Sequence, residues 1–180
     1  MAKITNIAHL FLKEHLKDGD TAIDATCGNG YDTLFLAKLV GDTGIIHAYD
    51  IQEQAILNTK QLTKDYHNII FHQTSHEFID VDKIDAVIFN LGYLPSGDKN
   101  ITTMIDSTKK ALLRLFDKFE TNKHMLIVIV VYPGHNEGQK ESIWLNEYLT
   151  TLDSSFMVAK YQPINQNNAP YILTIEKKNK

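Results

Sequence analysis

The chain has 180 residues, of which 43% are hydrophobic and 22% charged, with a formal net charge of −4 at pH 7. Such a balance suits one soluble globular domain, residues 1–180, with a sizeable core, and it excludes a protein that grips long nucleic acid through a broad basic stripe. No apolar run approaches the roughly twenty residues of a membrane span, and the start, Met1-Ala2-Lys3-Ile4-Thr5-Asn6, lacks the apolar segment of a secretion signal.

Cys27 is the single cysteine, so no internal disulfide can form, which fits a cytoplasmic location. The eight histidines are scattered and no C-x-x-C occurs, so no metal site is expected. Basic residues gather only modestly, at Lys109-Lys110 with Arg114, Lys118 and Lys123, and in the tail Lys177-Lys178-Lys180. These are most simply solvated faces and helix ends. An RNA substrate would therefore be recognised through a local pocket and a folded loop.

In chain order, Ile4, Ile7, Ala8, Phe11, Leu12 and Leu16 recur at helical spacing, predicting a helix over about 3–16 with one buried face. His9 and His15 fall on it with structural roles as the default, although a helix beside a crevice could lend one to a site. Lys17-Asp18-Gly19-Asp20 turns into a first strand, Thr21-Ala22-Ile23.

The stretch Asp24-Ala25-Thr26-Cys27-Gly28-Asn29-Gly30-Tyr31-Asp32 follows, ahead of a helical pattern from Thr33 to Leu39. Strand, glycine turn and helix N-terminus together make the setting of a nucleotide loop. Two glycines let the backbone turn sharply and let a ligand approach it. A dinucleotide loop would carry a third glycine or alanine where Thr33 stands, and Asp24 and Asp32 would repel a pyrophosphate. S-adenosylmethionine carries a sulfonium and an ammonium instead, which carboxylates attract. Asp50, at the end of the next apolar run Gly44–Tyr49, is placed to hold both ribose hydroxyls. Cys27 could be mistaken for a nucleophile, but no activating partner sits beside it, and a small residue packing the turn is the simpler role.

A helix over about 54–65 and a third strand, Asn68–His72, lead into Gln73-Thr74-Ser75-His76-Glu77, where Ser75 and His76 could contact adenine. Ile84–Phe89 reads as a buried strand ending at Asn90, with the stiff loop Leu91-Gly92-Tyr93-Leu94-Pro95 beyond. Strand carboxyl ends are where open α/β sheets bind ligands. An Asn90 carbonyl could orient an amine nucleophile and Tyr93 could stack on a base; the alternative is that Asn90 caps its own loop and Tyr93 packs.

Residues from about Thr102 to Phe119 form an amphipathic helix with Met104, Ile105, Ala111, Leu112, Leu115, Phe116 and Phe119 on its apolar face. Met125–Tyr132 reads as a central strand covered on both sides, followed by Pro133-Gly134-His135, where His135 could shuttle a proton or simply face solvent. A helix over about 137–152 and two strands, Phe156–Tyr161 and Tyr171–Glu176, complete the chain. The amide-rich loop between those strands, with Asn165 and Asn168, could reach a base's edges or serve as a plain hairpin loop.

The order of elements resembles the class I S-adenosylmethionine-dependent methyltransferase fold: α/β, Rossmann-like, a mostly parallel seven-stranded sheet with a C-terminal antiparallel strand pair and helices on both faces. More closely, DATCGNGYDTLFLA, YDIQ, TSHE, NLGYLPSGDK, YPGH and the Asn-rich loop are similar to a small bacterial rRNA-methylase family. Its better-defined activity is of the MnmM type, tRNA 5-(aminomethyl)-2-thiouridine methylation. Cys27 departs mildly from the smaller residue expected there.

The resemblance implies N-methylation of the wobble uridine in a tRNA anticodon stem-loop, with S-adenosyl-L-methionine as cofactor. Asp24, Thr26, Gly28, Asn29, Gly30, Asp50, Gln52, Ser75 and His76 would hold the cofactor. Asn90 and Asp32 would carry catalysis, and Tyr93, Leu94, Tyr132, His135, Asn165 and Asn168 would frame the nucleotide. A ribosomal RNA substrate, a nicotinamide-dependent oxidoreductase and a non-catalytic RNA-binding module are the competing expectations.

Overall fold

A computed structural model describes residues 3–92 and 104–178. The elements are α1 (Ile4–His15), β1 (Thr21–Asp24), α2 (Tyr31–Val40), β2 (Ile45–Tyr49), α3 (Glu53–Leu62), β3 (Ile69–His72), β4 (Ala86–Leu91), α4 (Ile105–Lys118), β5 (Leu126–Val131), α5 (Asn136–Leu149), β6 (Phe156–Tyr161) and β7 (Tyr171–Lys177). A short 3₁₀ turn spans His76–Phe78.

The seven strands form one sheet in the order β3-β2-β1-β4-β5-β7-β6. β3 through β5 are mutually parallel, whereas β7 runs antiparallel to both β5 and β6. The expected sheet, with its terminal antiparallel pair, is therefore the observed one. Strand order reverses between β1 and β4, and a crevice opens at the carboxyl ends there, as the topology requires.

Strand parity divides the core. Leu126, Val128 and Val130 of β5 pack with Ala22, Ile46 and Ile88 against Ala8 and Leu12 of α1 and Leu36 and Val40 of α2. The alternate residues Ile127, Ile129 and Val131 pack with Ile23 and Phe89 against Leu112 and Leu115 of α4 and Leu145 of α5. Since both faces are covered, β5 is apolar throughout.

Three differences from expectation bear on function. α2 begins at Tyr31 and not Thr33, because Gly30, with φ of +85°, provides its left-handed N-cap. Asp32 thus sits in the first helical turn, where the helix dipole favours a carboxylate. β4 continues through Asn90, which pairs with Val130, so the ladder holds Asn90 rigidly. Finally, Phe11 and Met104, expected on buried helix faces, are 37% and 51% exposed. Phe11 has rotated past the Ala8–Leu12 stripe, and Met104 is the N-cap residue of α4.

Candidate active site

The loop after β1 is held from three directions. Gly30 N–H donates to Cys27 O at 2.7 Å, Cys27 N–H to Tyr49 O at 2.9 Å, and Thr59 Oγ1 of α3 to Gly28 O at 3.1 Å. A Cβ on Gly30 would lie 2.8 Å from the Thr59 Cα, so α3 and the loop approach too closely for any side chain there. From the next strand, the Asp50 carboxylate accepts from Gly28 N–H at 3.0 Å and from Gln52 N–H at 2.9 Å. Burial raises the Asp50 carboxyl above the usual carboxylate range, partly offset by those backbone donors.

Asp24 does not face the crevice, contrary to expectation. It is fully buried, receiving the Thr33 hydroxyl at 2.6 Å and the Thr26 N–H at 3.2 Å. Burial, followed by the nearby charge of Asp32, pushes its carboxyl up to about 8. Asp24 is therefore a buried brace whose protonated form burial favours, and the carboxyl groups that line the crevice here are those of Asp32 and Asp50. Gly30 likewise shapes the loop without lining the crevice. Cys27 is buried with its thiol raised chiefly by desolvation, which makes it a packing residue.

The crevice measures about 1450 Å³, beyond the ~300–1,000 Å³ of an ordinary small-ligand pocket, so a cofactor and a second reactant can share it. Thr26, Gly28, Asn29, Asp50 and Gln52 line one end, with Ser75 and His76 beside them. Asn29 is fixed by the Asn58 amide, which donates to its Oδ1 at 2.9 Å. Ser75 caps the 3₁₀ turn, accepting from Glu77 N–H at 3.2 Å.

His76 is 7% exposed, with its ring edge-on to Phe89 and its Nδ1 3.2 Å from Ala25 O. Burial lowers its pKa to about 4, so the ring is neutral. Its one proton lies on Nδ1, facing the carbonyl, and Nε2 is a buried acceptor with no partner among the described residues. An orphaned acceptor in a crevice wall suits a ligand's amino group better than ring stacking does. His72 and His76 stand four residues apart, but His72 bonds His47 at 3.0 Å while His76 turns to Ala25. Among the described residues no cluster of three or more candidate ligands for a metal occurs.

A second polar cluster lies where α1, α2, β4 and β5 converge. Asp32 Oδ2 accepts from Asn90 Nδ2 at 3.1 Å, and Oδ1 accepts from His9 Nε2 at 2.6 Å. Asn90 N–H donates to Thr26 Oγ1 at 2.8 Å. Tyr132 lines the same wall; burial, with Asp32's charge behind it, pushes its hydroxyl up to about 12. His135 is half-buried and does not stand alone, since its Nδ1 caps α5 by accepting from Gly138 N–H at 3.1 Å.

The Asn-rich loop splits. Asn168, in a left-handed conformation at φ 55°, reaches the crevice with Pro170, whereas Asn165 is exposed and outside it. Tyr93 and Leu94 fall outside the described residues. Sequence patterns did not select His9: helical spacing identified the buried stripe of α1 but not what the adjacent polar ring would meet.

A family model described as "Putative rRNA methylase" matches residues 46–177, and one for protein-L-isoaspartate O-methyltransferase matches residues 2–78. A chloroplastic tRNA (mnm5s2U34)-methyltransferase of Arabidopsis thaliana is 34% identical over 98% of this chain and 70% of its own length. A crystal structure of a protein from Clostridium thermocellum with the same description as the family superposes with a TM-score of 0.90, at 37% identity over 99% of both chains. A candidate methyltransferase from Streptococcus mutans, solved in complex with SAH, superposes with a TM-score of 0.85, at 32% identity over 99% of both chains.

Proposed function

Because the chain belongs to the rRNA-methylase family of S-adenosylmethionine-dependent methyltransferases, we propose that it N-methylates 5-aminomethyl-2-thiouridine at the wobble position of a cytoplasmic tRNA. The product is 5-methylaminomethyl-2-thiouridine. The observation that carries this is the 34% identity, along 98% of the chain, to a protein named for that nucleoside. A crevice with room for two reactants agrees with it.

S-adenosylmethionine fits the residues present. Asp50 has a second lone pair on each carboxylate oxygen for ribose hydroxyls. His76 Nε2 offers a buried acceptor for an exocyclic amine, and Cys27, Gly28 and Asn29 line the crevice beside it. When bound, the cofactor supplies an electrophilic methyl group on a sulfonium.

The protein's share of the chemistry is positioning and charge. Asp32 Oδ2 accepts from the Asn90 amide, so it is the nitrogen of that amide that faces it. Asn90 Oδ1 is thereby turned to accept from the substrate amine and to aim its lone pair. Tyr132 and Asn168 offer an aromatic face and an amide to an unstacked anticodon base.

The test is incubation with labelled S-adenosylmethionine and bulk tRNA from cells lacking this gene, followed by nucleoside mass spectrometry. A methyl gained on 5-aminomethyl-2-thiouridine is expected. No transfer to any tRNA nucleoside, with SAH binding intact, would reject the assignment and direct the same assay to ribosomal RNA, which the family's description favours.

A further inference from the structure

We infer that His9 is the base that takes the proton from the nucleophile, held for that task by Asp32; the inference rests on the amine-methylating function proposed above. An alkylammonium has no lone pair to attack a sulfonium methyl, so a proton has to leave the amine before the N–C bond can form. Neither Asn90 nor Tyr132 suits that step: an amide is not a base at neutral pH, and a tyrosine hydroxyl pushed up to about 12 keeps its own proton.

His9 comes from the first helix, 23 residues before Asp32. Its imidazole lies flat on Phe35 of α2, with ring centroids 3.8 Å apart and an interplanar angle of 5°. Its Nε2 stands 2.6 Å from Asp32 Oδ1. Because a carboxylate can only accept, Nε2 carries the hydrogen, and the neutral ring has its lone pair on Nδ1. Asp32 and the Phe35 face fix both the tautomer and the plane of the ring. A carboxylate orienting an imidazole whose other nitrogen does the work is the logic of the hydrolase triads, here built from a helix and the N-terminus of the next.

Both side chains line the crevice, yet neither is sealed from water: His9 is 20% and Asp32 10% exposed. The steps balance. His9 Nδ1 takes one proton from the alkylammonium, giving an imidazolium paired with the Asp32 carboxylate. The freed amine lone pair forms the N–C bond as the S–CH3 bond breaks, its electrons remaining on sulfur as the neutral thioether. The product leaves as a secondary ammonium, and the imidazolium returns its proton to solvent.

Among the described residues, further titratable groups stand on the elements packed around the pair. Asp24 of β1 lies buried behind the loop with its carboxyl raised, and Tyr132 follows β5. On α1 itself Lys13 stands one turn away, exposed. His135 lines the crevice but its Nδ1 is engaged by Gly138 N–H.

His9→Gln separates chemistry from architecture, since a glutamine amide still donates to Asp32 but cannot take a proton. Its turnover on tRNA is expected to fall roughly a hundredfold, with SAH affinity within about twofold of wild type and with the acid limb of the pH–rate profile altered. Imidazole is expected to restore turnover to His9→Ala in a saturable manner. A His9→Gln protein with wild-type turnover and pH profile would overturn the inference while leaving the tRNA substrate intact. The tautomer is read without any substrate, by nitrogen NMR of the wild-type protein with SAH: a proton on Nε2 is expected, and a neutral ring protonated on Nδ1 would overturn the inference whatever the acceptor nucleoside proves to be.

Discussion

Asn90 Nδ2 donates to Asp32 Oδ2 at 3.1 Å, joining β4 to the first turn of α2 across 58 residues of sequence. The bond fixes which end of the Asn90 amide faces Asp32, so under the proposed function truncation removes the acceptor for the substrate amine and leaves the Asp50 end of the crevice untouched. Asn90→Ala is expected to lower single-turnover methyl transfer about a hundredfold, the usual loss for one preorganised polar group, with SAH affinity changed less than about threefold by calorimetry. Equal losses in both would move Asn90 into the cofactor site.

Asp24 makes stability depend on pH in a defined direction. Its folded carboxyl is raised to about 8, against about 3.9 in an unfolded chain. Below the unfolded value both states hold the proton and the contribution is complete. As pH rises through that window only the unfolded state releases the proton, so stability declines until the folded group titrates too. Asp24→Asn keeps a neutral side chain that can accept from Thr26 N–H and donate to Thr33 Oγ1. In urea unfolding between pH 5 and pH 8 the wild type is expected to lose stability that the variant retains, on the order of a few kcal/mol. Parallel pH profiles would show that Asp24 is charged in the folded state.

The same residue marks where sequence legibility ends. The strands could be read because parity and apolarity coincide: Leu126–Val131 is buried on both faces and all apolar. The loop could be read because Gly28 and Gly30, with φ of 52° and 85°, occupy conformations that other residues avoid. Asp24 looked like a ligand contact because a carboxylate beside a glycine loop carries charge; yet it continues the buried ladder, paired with Ala48 and Ile88, and charge type does not report burial. His9 was hidden for the opposite reason. Its partner lies on another helix, and the turn of α1 about its own axis is settled by packing against β5 and α2. Asn165 and Asn168 differ for want of any periodicity in their loop.

Gly30 links fold and site. It combines a left-handed backbone with a Cβ position 2.8 Å from the Thr59 Cα. Gly30→Ala therefore meets both backbone strain and a clash with α3, and is expected to cost about 2–4 kcal/mol in urea unfolding. SAH affinity should fall along with stability, because Gly28 and Asp50 move with the loop. A substitution costing less than about 1 kcal/mol would mean that α3 can withdraw from the loop.

Asp50 should behave as the converse of Asn90. Its two oxygens tie Gly28 N–H and Gln52 N–H at the crevice wall, so Asp50→Ala removes both the proposed cofactor acceptor and the clamp between the loop and α3. SAH affinity is expected to fall about 10- to 100-fold, the range for losing one or two charge-assisted hydrogen bonds. With S-adenosylmethionine raised to saturation, the turnover of Asp50→Ala should recover to within a few-fold of wild type, whereas Asn90→Ala should stay slow at any cofactor concentration. If saturating cofactor fails to restore Asp50→Ala, the carboxylate serves the chemical step as well, and the division of the crevice into a binding end and a reacting end would be wrong.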